Sequence, residues 1–181
     1  MRLRFDEKKT TQAAARLLNL AGGQLPYIKL VKLLYLVDRE ALLRWSTPVT
    51  GDHYYSMKMG PVLSNVLDLV TKESHGFWAD HIVKASRWDV KLAQDPGDGE
   101  LSEAEDELIE KIFADYGGMD KFKLVDHLHE ILPEWERVTT GRKPIEFASI
   151  LKAGNKSDEE IAAIESELQA VDLVHAMFGA R

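Results

Sequence analysis

The sequence contains no cysteine among its 181 residues. This absence excludes disulfide bonds, thiolate zinc sites and cysteine nucleophiles together, and it fits a reducing cytoplasm, which is the expected localisation. Long apolar runs are also missing: none approaches the roughly 20 residues that a membrane-spanning helix needs. The N-terminal segment is charged and has no apolar stretch, so we expect neither a secretory signal nor a membrane partner.

The chain has fewer basic residues than acidic ones. Lys and Arg total 23 against 30 Asp and Glu, which gives a net charge of −7. Because phosphate backbones attract positive surfaces, this balance argues against a nucleic-acid partner, although a local basic patch remains compatible with it. Hydrophobic residues make up 45% of the chain and charged residues 29%, which is typical of a single globular domain.

Recognisable catalytic motifs are missing as well. The sequence contains no P-loop, no GxGxxG, no HExxH and no GxSxG pattern, so we expect no cofactor. The best metal candidate is the segment from Asp126 to Glu130, with His127 and His129 two residues apart. On a helix these two side chains point to different faces and cannot easily bind one ion, so we expect no metal site.

One short segment keeps an enzyme open as an alternative. Asp52, His53 and Tyr54 follow one another, and an Asp–His pair near a hydroxyl can support acid–base catalysis. Adjacent positions do not fix that geometry, however, and loops collect the same residue types for turns. We therefore expect no catalytic residue and no enzyme, and a small enzyme that uses these three residues is the alternative.

Helical periodicity dominates the rest of the chain. Asp6, Asp120 and the Ser102/Glu105 and Ser157/Glu160 pairs are typical helix-starting residues. The apolar spacing predicts seven helices, over about 6–21, 26–45, 61–70, 102–117, 120–132, 143–151 and 157–178. The second of these is apolar nearly all round, which indicates a central helix that is covered on several sides.

Strand signals are weak. Alternation in residues 77–93 predicts one small antiparallel β-hairpin, whereas residues 49–59 are interpreted as a loop with at most one short strand. The expected fold class is mainly α (α+β): a compact multi-helix domain around the central apolar helix, with that hairpin.

The predicted organisation is a helical domain over residues 1–154 and a C-terminal helix over 155–181 that packs on the same domain. The apolar residues of this last helix recur at heptad spacing, at Ile161, Ile164, Leu168, Val171, His175 and Phe178. Such a seam could also pair with a second chain, so a dimeric interaction scaffold is a further alternative and a homodimer stays open.

An ordered series of short segments carries a family resemblance. It comprises Lys32–Asp38, Pro48–Asp52, Tyr54–Met59, Gly60–Val62, and His129 followed by Pro133–Trp135. In order and spacing these segments resemble the Panacea domain family, the SocA-like group of antitoxins and phage-associated proteins. The resemblance covers about residues 10–150.

The resemblance implies a mostly helical protein, encoded beside a toxin, that binds and neutralises this cognate protein toxin. SocA itself resembles a proteolytic adaptor, so the resemblance also implies a second role, delivery of the toxin to a ClpXP-type protease. The expected partners are therefore the toxin and, for an adaptor, the protease.

Two groups of residues are the candidates for function. The first is a partner-binding set of residues that we expect to be exposed beside the central helix: Lys32, Tyr35, Asp52, Tyr54, Tyr55 and Lys58. The second is a structural set from the motifs: Gly60, Pro61, His129 and Trp135. The alternative for the first set is that Tyr35 and Tyr54 belong to the core and that Asp52 caps a turn.

Overall fold

The structure is a computed structural model that describes residues 3–178, apart from the side chains of His175, Ala176 and Phe178. Within that range the chain forms eight helices and two three-stranded antiparallel sheets. The helices are α1 (Glu7–Leu20), α2 (Tyr27–Trp45), α3 (Ser64–Thr71), α4 (Phe77–His81), α5 (Glu103–Tyr116), α6 (Lys121–Ile131), α7 (Phe147–Ala153) and α8 (Asp158–Phe178). The strands are β1 (Gln24–Pro26), β2 (Tyr54–Met57), β3 (Gly60–Leu63), β4 (Ile82–Lys84), β5 (Asp89–Leu92) and β6 (Lys143–Ile145).

The mainly α (α+β) class is confirmed, and α2 is the central helix. Its residues are buried almost without interruption from Lys29 to Asp38. Helices α1, α5, α6 and α7 pack around it together with β3, so apolar side chains are needed on nearly every side. No helix within residues 3–178 has both the length and the apolar character that crossing a membrane requires.

The first sheet has the strand order β1-β5-β4. Strands β4 and β5 form the hairpin that was predicted from the alternation in residues 77–93, with Ile82 opposite Leu92 and Lys84 opposite Val90. Strand β1 adds a third antiparallel partner, with Leu25 opposite Val90. The buried Leu25, Ile82 and Val90 join this sheet to the core.

The second sheet, of order β3-β2-β6, was not predicted. Residues 49–59 contain a regular strand, and the segment 60–63, predicted as the start of a helix, is its hairpin partner, with Ser56 opposite Pro61 and Met57 opposite Gly60. Gly60 follows the two loop residues Lys58 and Met59 and has a φ of 90°, a left-handed conformation that glycine adopts without strain. The helix predicted from Pro61 therefore begins at Ser64.

The third strand of this sheet comes from far along the chain. Residues 143–145, predicted as the start of a helix, form β6 and pair with β2, with Tyr54 opposite Ile145. The following helix, α7, begins at Phe147. This pairing closes the sheet over the core beside α2.

Helix α8 changes its surroundings along its length. Ile161, Ile164 and Leu168 are buried in the main core cluster, whereas Val171 is exposed. The side chains of His175 and Phe178, the last two members of the predicted heptad seam, lie outside what the structure describes. The division of the chain at residue 154 remains a prediction.

Candidate functional site

The motif segments that are far apart in the sequence meet at the β2–β3 turn. Lys32 of α2 donates a hydrogen bond from its Nζ to the carbonyl oxygen of Pro61 at 2.7 Å. A Cβ on Gly60 would lie 3.2 Å from Lys32 Cε and 3.5 Å from His129 Nε2. The missing side chain of Gly60 therefore lets the turn fit between α2 and α6.

Lys32 lies in the wall of this site, away from solvent. Its side chain is 1% exposed, and among the ion pairs described for residues 3–178 none includes it. Burial lowers the pKa of Lys32 to about 7, because removing an ammonium group from water disfavours its charged form. Lys32 thus joins α2 to β3 through a neutral carbonyl acceptor.

His129 and Trp135 form the outer part of the same cluster. Their rings stack with centroids 3.9 Å apart and planes 16° from parallel, and Trp135 Nε1 donates to the carbonyl oxygen of Met57 at 3.2 Å. His129 Nε2 is buried without a hydrogen-bond partner. Burial, followed by the nearby charge of Lys32, lowers the pKa of His129, so the ring is neutral near pH 7.

A pocket of about 280 Å³ opens beside this stack. It is lined by Lys58, His129, Trp135, Arg137, Val138 and Thr139. Its lining is mostly apolar, and Lys58 and Arg137 are exposed. Tyr55 lines a different pocket, and the guanidinium carbon of Arg142 lies 4.3 Å from its ring centroid. We call the surface formed by Lys58, Trp135 and Arg137 the basic pocket surface.

A hydrogen-bond network around Glu134 joins α2 to the segment that follows α6. The side chain of Glu134 has 0% exposure and accepts hydrogen bonds from Tyr35 Oη at 3.0 Å and from Arg39 Nε at 2.7 Å. Burial and the charge of Glu134 raise the pKa of Tyr35. Tyr35 is therefore a neutral core residue that connects α2 to the segment after α6.

Asp38 holds the segment that leads into β2. It accepts from the backbone N–H groups of Val49 and Thr50, both at 2.9 Å, from the Thr50 hydroxyl, and from Tyr54 Oη at 3.0 Å. Burial raises the pKa of Asp38 to about 6, and the hydrogen bonds from Thr50 and Tyr54 oppose that rise. The Tyr54 hydroxyl is thus committed to a structural bond.

Asp52 caps α3. It accepts from the backbone N–H groups of His53, Asn65 and Val66 at 2.6, 2.9 and 3.0 Å, and from Asn65 Nδ2 at 2.8 Å. Burial raises its pKa, and the bonds from Asn65 and Val66 oppose that rise. Its oxygens face the start of a helix while Tyr54 faces Asp38, so the candidate acid–base set is not assembled as a unit.

The rings of His127 and His129 face different neighbours. His127 lies 5.9 Å from Tyr116, between ring centroids, whereas His129 stacks on Trp135. Within residues 3–178 no group of three or more His, Asp or Glu side chains is arranged to hold a metal ion.

The exposure expected for the partner-binding set is wrong for four of its six residues. Lys32, Tyr35, Asp52 and Tyr54 are buried because each bonds to a neighbouring segment. Tyr55 is half-buried and Lys58 is exposed, and their role in partner binding stays a prediction.

The structural set lies together: Gly60, Pro61, His129 and Trp135 surround the β2–β3 turn. Sequence reasoning missed Glu134 and Arg137. Glu134 stood inside a matched motif, between Pro133 and Trp135, which was a usable signal. Arg137 had none.

Comparison with known families agrees with this geometry. The chain matches the model of the family described as antitoxin SocA-like, Panacea domain, over residues 30–136. That range begins in α2 and ends after Trp135, so it includes the β2–β3 turn, the His129–Trp135 stack and both buried carboxylate networks. Neither curated proteins nor solved structures gave a match. Since the matched range is more than half of the chain, the protein belongs to the SocA-like antitoxin family, the family of the Panacea domain.

Proposed function

We propose that this protein is an antitoxin that binds a cognate protein toxin in the cytoplasm and neutralises it. The observation that carries the proposal is the family match over residues 30–136. The candidate acid–base groups Asp52 and Tyr54 are engaged in holding segments of the chain together, which favours binding over catalysis at these residues. The family points to a protein that acts by binding rather than by catalysis.

The basic pocket surface is the contact that we propose for the toxin. Aromatic residues and arginine contribute most to binding energy when they lie at the centre of an interface. Trp135 and Arg137 line one pocket. The exposed cations Lys58 and Arg137 favour an acidic group on the toxin, and the apolar lining of the pocket suits one inserted side chain.

This surface is also held in place before the toxin arrives. Trp135 is fixed by its stack on His129 and by its bond to Met57. Met57, whose carbonyl accepts that bond, lies on the central strand of a three-stranded sheet. Binding to a preorganised surface loses little conformational entropy, which favours tight binding of the toxin.

Delivery of the toxin to a ClpXP-type protease is the second mechanism that the family suggests. The two mechanisms differ in what happens to the toxin. Occlusion leaves its half-life unchanged or longer, whereas delivery shortens it in cells that contain the protease and not in cells that lack it. A pulse–chase measurement of the toxin in both strains separates them.

Co-expression with the product of the neighbouring gene tests the antitoxin role. The neighbour alone should stop growth, and the unsubstituted chain should restore it. Arg137→Glu should restore growth less well, because it reverses a charge at the pocket. Lys123→Glu is the matched control: Lys123 is an exposed lysine of α6 whose side chain is 80% exposed. A harmless neighbour, or one that stays toxic beside the unsubstituted chain, would refute the proposal.

A further inference from the structure

Proline stands on the free edge of three of the four outer strands that the structure describes. These outer strands are β1 and β4 of the first sheet and β3 and β6 of the second. In an antiparallel pair, successive residues turn their backbone N–H and C=O groups alternately toward the partner strand and away from it. Pro26 of β1, Pro61 of β3 and Pro144 of β6 all occupy positions that face away from the partner strand. Because proline has no N–H group, a further strand would lack a donor at each of these edges.

Strand β4 is the one outer strand within residues 3–178 that has no proline. Its pairing with β5 is closed at both ends by hydrogen bonds that the N–H groups of Ala85 and Ala93 donate across the hairpin. By alternation, Val83 turns its backbone groups toward β5, whereas those of Ile82 and Lys84 face away from β5. We call this outward side of Ile82–Lys84 the β4 edge.

Three backbone groups of the β4 edge are available to a further strand. The N–H group of Ile82 already donates to the carbonyl oxygen of Trp78 at the end of α4. The carbonyl oxygen of Ile82 and both backbone groups of Lys84 take part in none of the hydrogen bonds described within residues 3–178. An antiparallel strand can therefore form a reciprocal pair of bonds with Lys84 and one bond with Ile82.

A mostly apolar pocket of about 360 Å³ lies at the β4 edge. Its lining includes Lys84 and apolar residues of α3, α4, β4 and β5: Leu69, Val70, Trp78, Ile82 and Val90. Lys84 is paired with Val90, which belongs to the core, so both side chains are on the core-facing side of the sheet. In an added strand, the residue opposite Lys84 points its side chain to this same side, where the pocket lies.

The β4 strand of a second copy has no side chain to offer this pocket. Its Ile82 is 2% exposed because it already belongs to the core, and its Lys84 Nζ donates to the carbonyl oxygen of Thr71 at 2.8 Å. An extended segment of another protein, with an apolar residue opposite Lys84, satisfies the backbone groups and fills the pocket. Recognition by strand addition combines main-chain hydrogen bonds with pockets for side chains in this way. The β4 edge lies inside the range 30–136 that matches the antitoxin family, for which the toxin is the proposed partner.

We propose that an extended segment of the toxin adds to β4 as a fourth strand of the first sheet, with an apolar side chain in the pocket. This proposal rests on the proposed antitoxin function, since it names the kind of toxin segment that is bound. It adds a second contact, which shares no residue with the basic pocket surface.

A proline at residue 84 tests the backbone contact. Lys84→Pro removes the outward N–H group and none of the bonds to β5, as the prolines on the other three edges do. This variant should bind the purified toxin at least about tenfold more weakly. The matched control is Lys84→Met, which keeps the N–H group and the apolar stem and should bind within about twofold of the unsubstituted chain. Equal affinities of Lys84→Pro and Lys84→Met would overturn the proposal.

Amide hydrogen exchange tests the same contact in the unsubstituted chain, where no substitution can disturb the fold. The Lys84 amide should exchange fast in the free chain, and saturating toxin should slow its exchange at least about tenfold. The neighbouring Val83 amide is the internal control, because it faces β5 and should be protected in both states. If the Lys84 amide exchanges equally fast in the toxin complex, no strand is added at this edge.

Filling the pocket tests the side-chain contact. Ala79 lines the pocket and is half-buried, so Ala79→Phe should occupy part of the space and weaken toxin binding at least about tenfold. Ala79→Ser leaves the space open and should bind within about twofold. Equal binding of these two variants would contradict the pocket's role.

The oligomeric state tests the competing occupant. Sedimentation of the full chain alone should show a monomer. A dimer that dissociates in Lys84→Pro and persists in Lys84→Met would identify a second copy as the occupant and overturn the proposal.

The failure of this proposal is distinguishable from the failure of the antitoxin function. If Lys84→Pro binds the toxin as tightly as the unsubstituted chain while Arg137→Glu binds it more weakly, the β4 proposal fails and the antitoxin function stands. If the unsubstituted chain does not bind the toxin, the proposed function fails, and the toxin is excluded as the source of the added strand.

Discussion

Replacing Lys32 by methionine should change how the stability of the protein depends on pH. The side chain of Lys32 is 1% exposed and its pKa is lowered to about 7 by burial. Its counterpart in the unfolded chain has a pKa of about 10.4. Between these two values the unfolded state binds more protons than the folded state, so the free energy of unfolding rises with pH. Below the folded pKa the burial penalty is present in full.

The size of this effect follows from the pKa difference. Each unit of pKa difference corresponds to about 1.4 kcal/mol. Between about pH 7 and about pH 9 Lys32 should therefore contribute an increase of about 2 kcal/mol to the free energy of unfolding. Methionine has a similar length and no charge, so Lys32→Met should lack this increase. The absolute stability near pH 7 is less informative, because the variant also leaves the Pro61 carbonyl unpaired at a cost of about 1–3 kcal/mol.

Urea unfolding followed by tryptophan fluorescence at several pH values measures this dependence. The matched control is Lys58→Met, since Lys58 is exposed at the β2–β3 turn and its removal should leave the pH dependence as it is. If the unsubstituted chain and Lys32→Met gain stability equally between about pH 7 and about pH 9, Lys32 is not the buried, depressed amine described here.

Three further variants test the cluster around the motifs, each by urea unfolding. Glu134→Gln should lower stability by about 2–3 kcal/mol, because it removes the buried carboxylate that pairs with the mostly buried guanidinium of Arg39 and leaves it only the more exposed Glu40; a loss near zero would refute the importance of that pair. Gly60→Ala should cost about 1–3 kcal/mol, since its φ is 90° and a Cβ would press on Lys32, whereas Gly97→Ala, with open space around it, should cost only about 1 kcal/mol. Asp52→Ala should cost about 2 kcal/mol through loss of the α3 cap, and an unchanged stability would contradict that role.

The helices could be predicted because local signals specify them. Ser102 and Glu105 form the reciprocal capping box expected from their spacing, and Asp120 accepts from the first N–H groups of α6. Each of these signals acts within one turn of helix. The all-round apolar character of α2 likewise indicated its central position before any neighbour was known.

The second sheet could not be predicted in the same way. Its strands have three or four residues, and the pairing of Tyr54 with Ile145 joins positions that are far apart in the sequence. The Gly60–Pro61 pair is compatible with a helix start and with a hairpin strand, and the choice depends on the partner strand. The pairing with β2 therefore determines that residues 60–63 form a strand, which the local sequence alone does not.

The candidate site shows a similar division. The motif residues Lys32, Gly60, His129 and Trp135 lie together, although their order in the sequence does not predict the distances between them. The predicted exposure of Lys32 was wrong. Lysine side chains usually lie on the surface, and only the folded structure shows that Lys32 is buried. Arg137 follows the motifs with no pattern of its own, so its place at the pocket is visible only in three dimensions.

The affinity of the purified toxin for the chain and its charge-reversed variants tests the central claim most directly. If the toxin binds the basic pocket surface, Lys58→Glu and Arg137→Glu should each weaken binding at least about tenfold, while Lys123→Glu on exposed α6 should leave it within about twofold. Equal affinities for all four proteins, or the same loss with Lys123→Glu, would contradict the account.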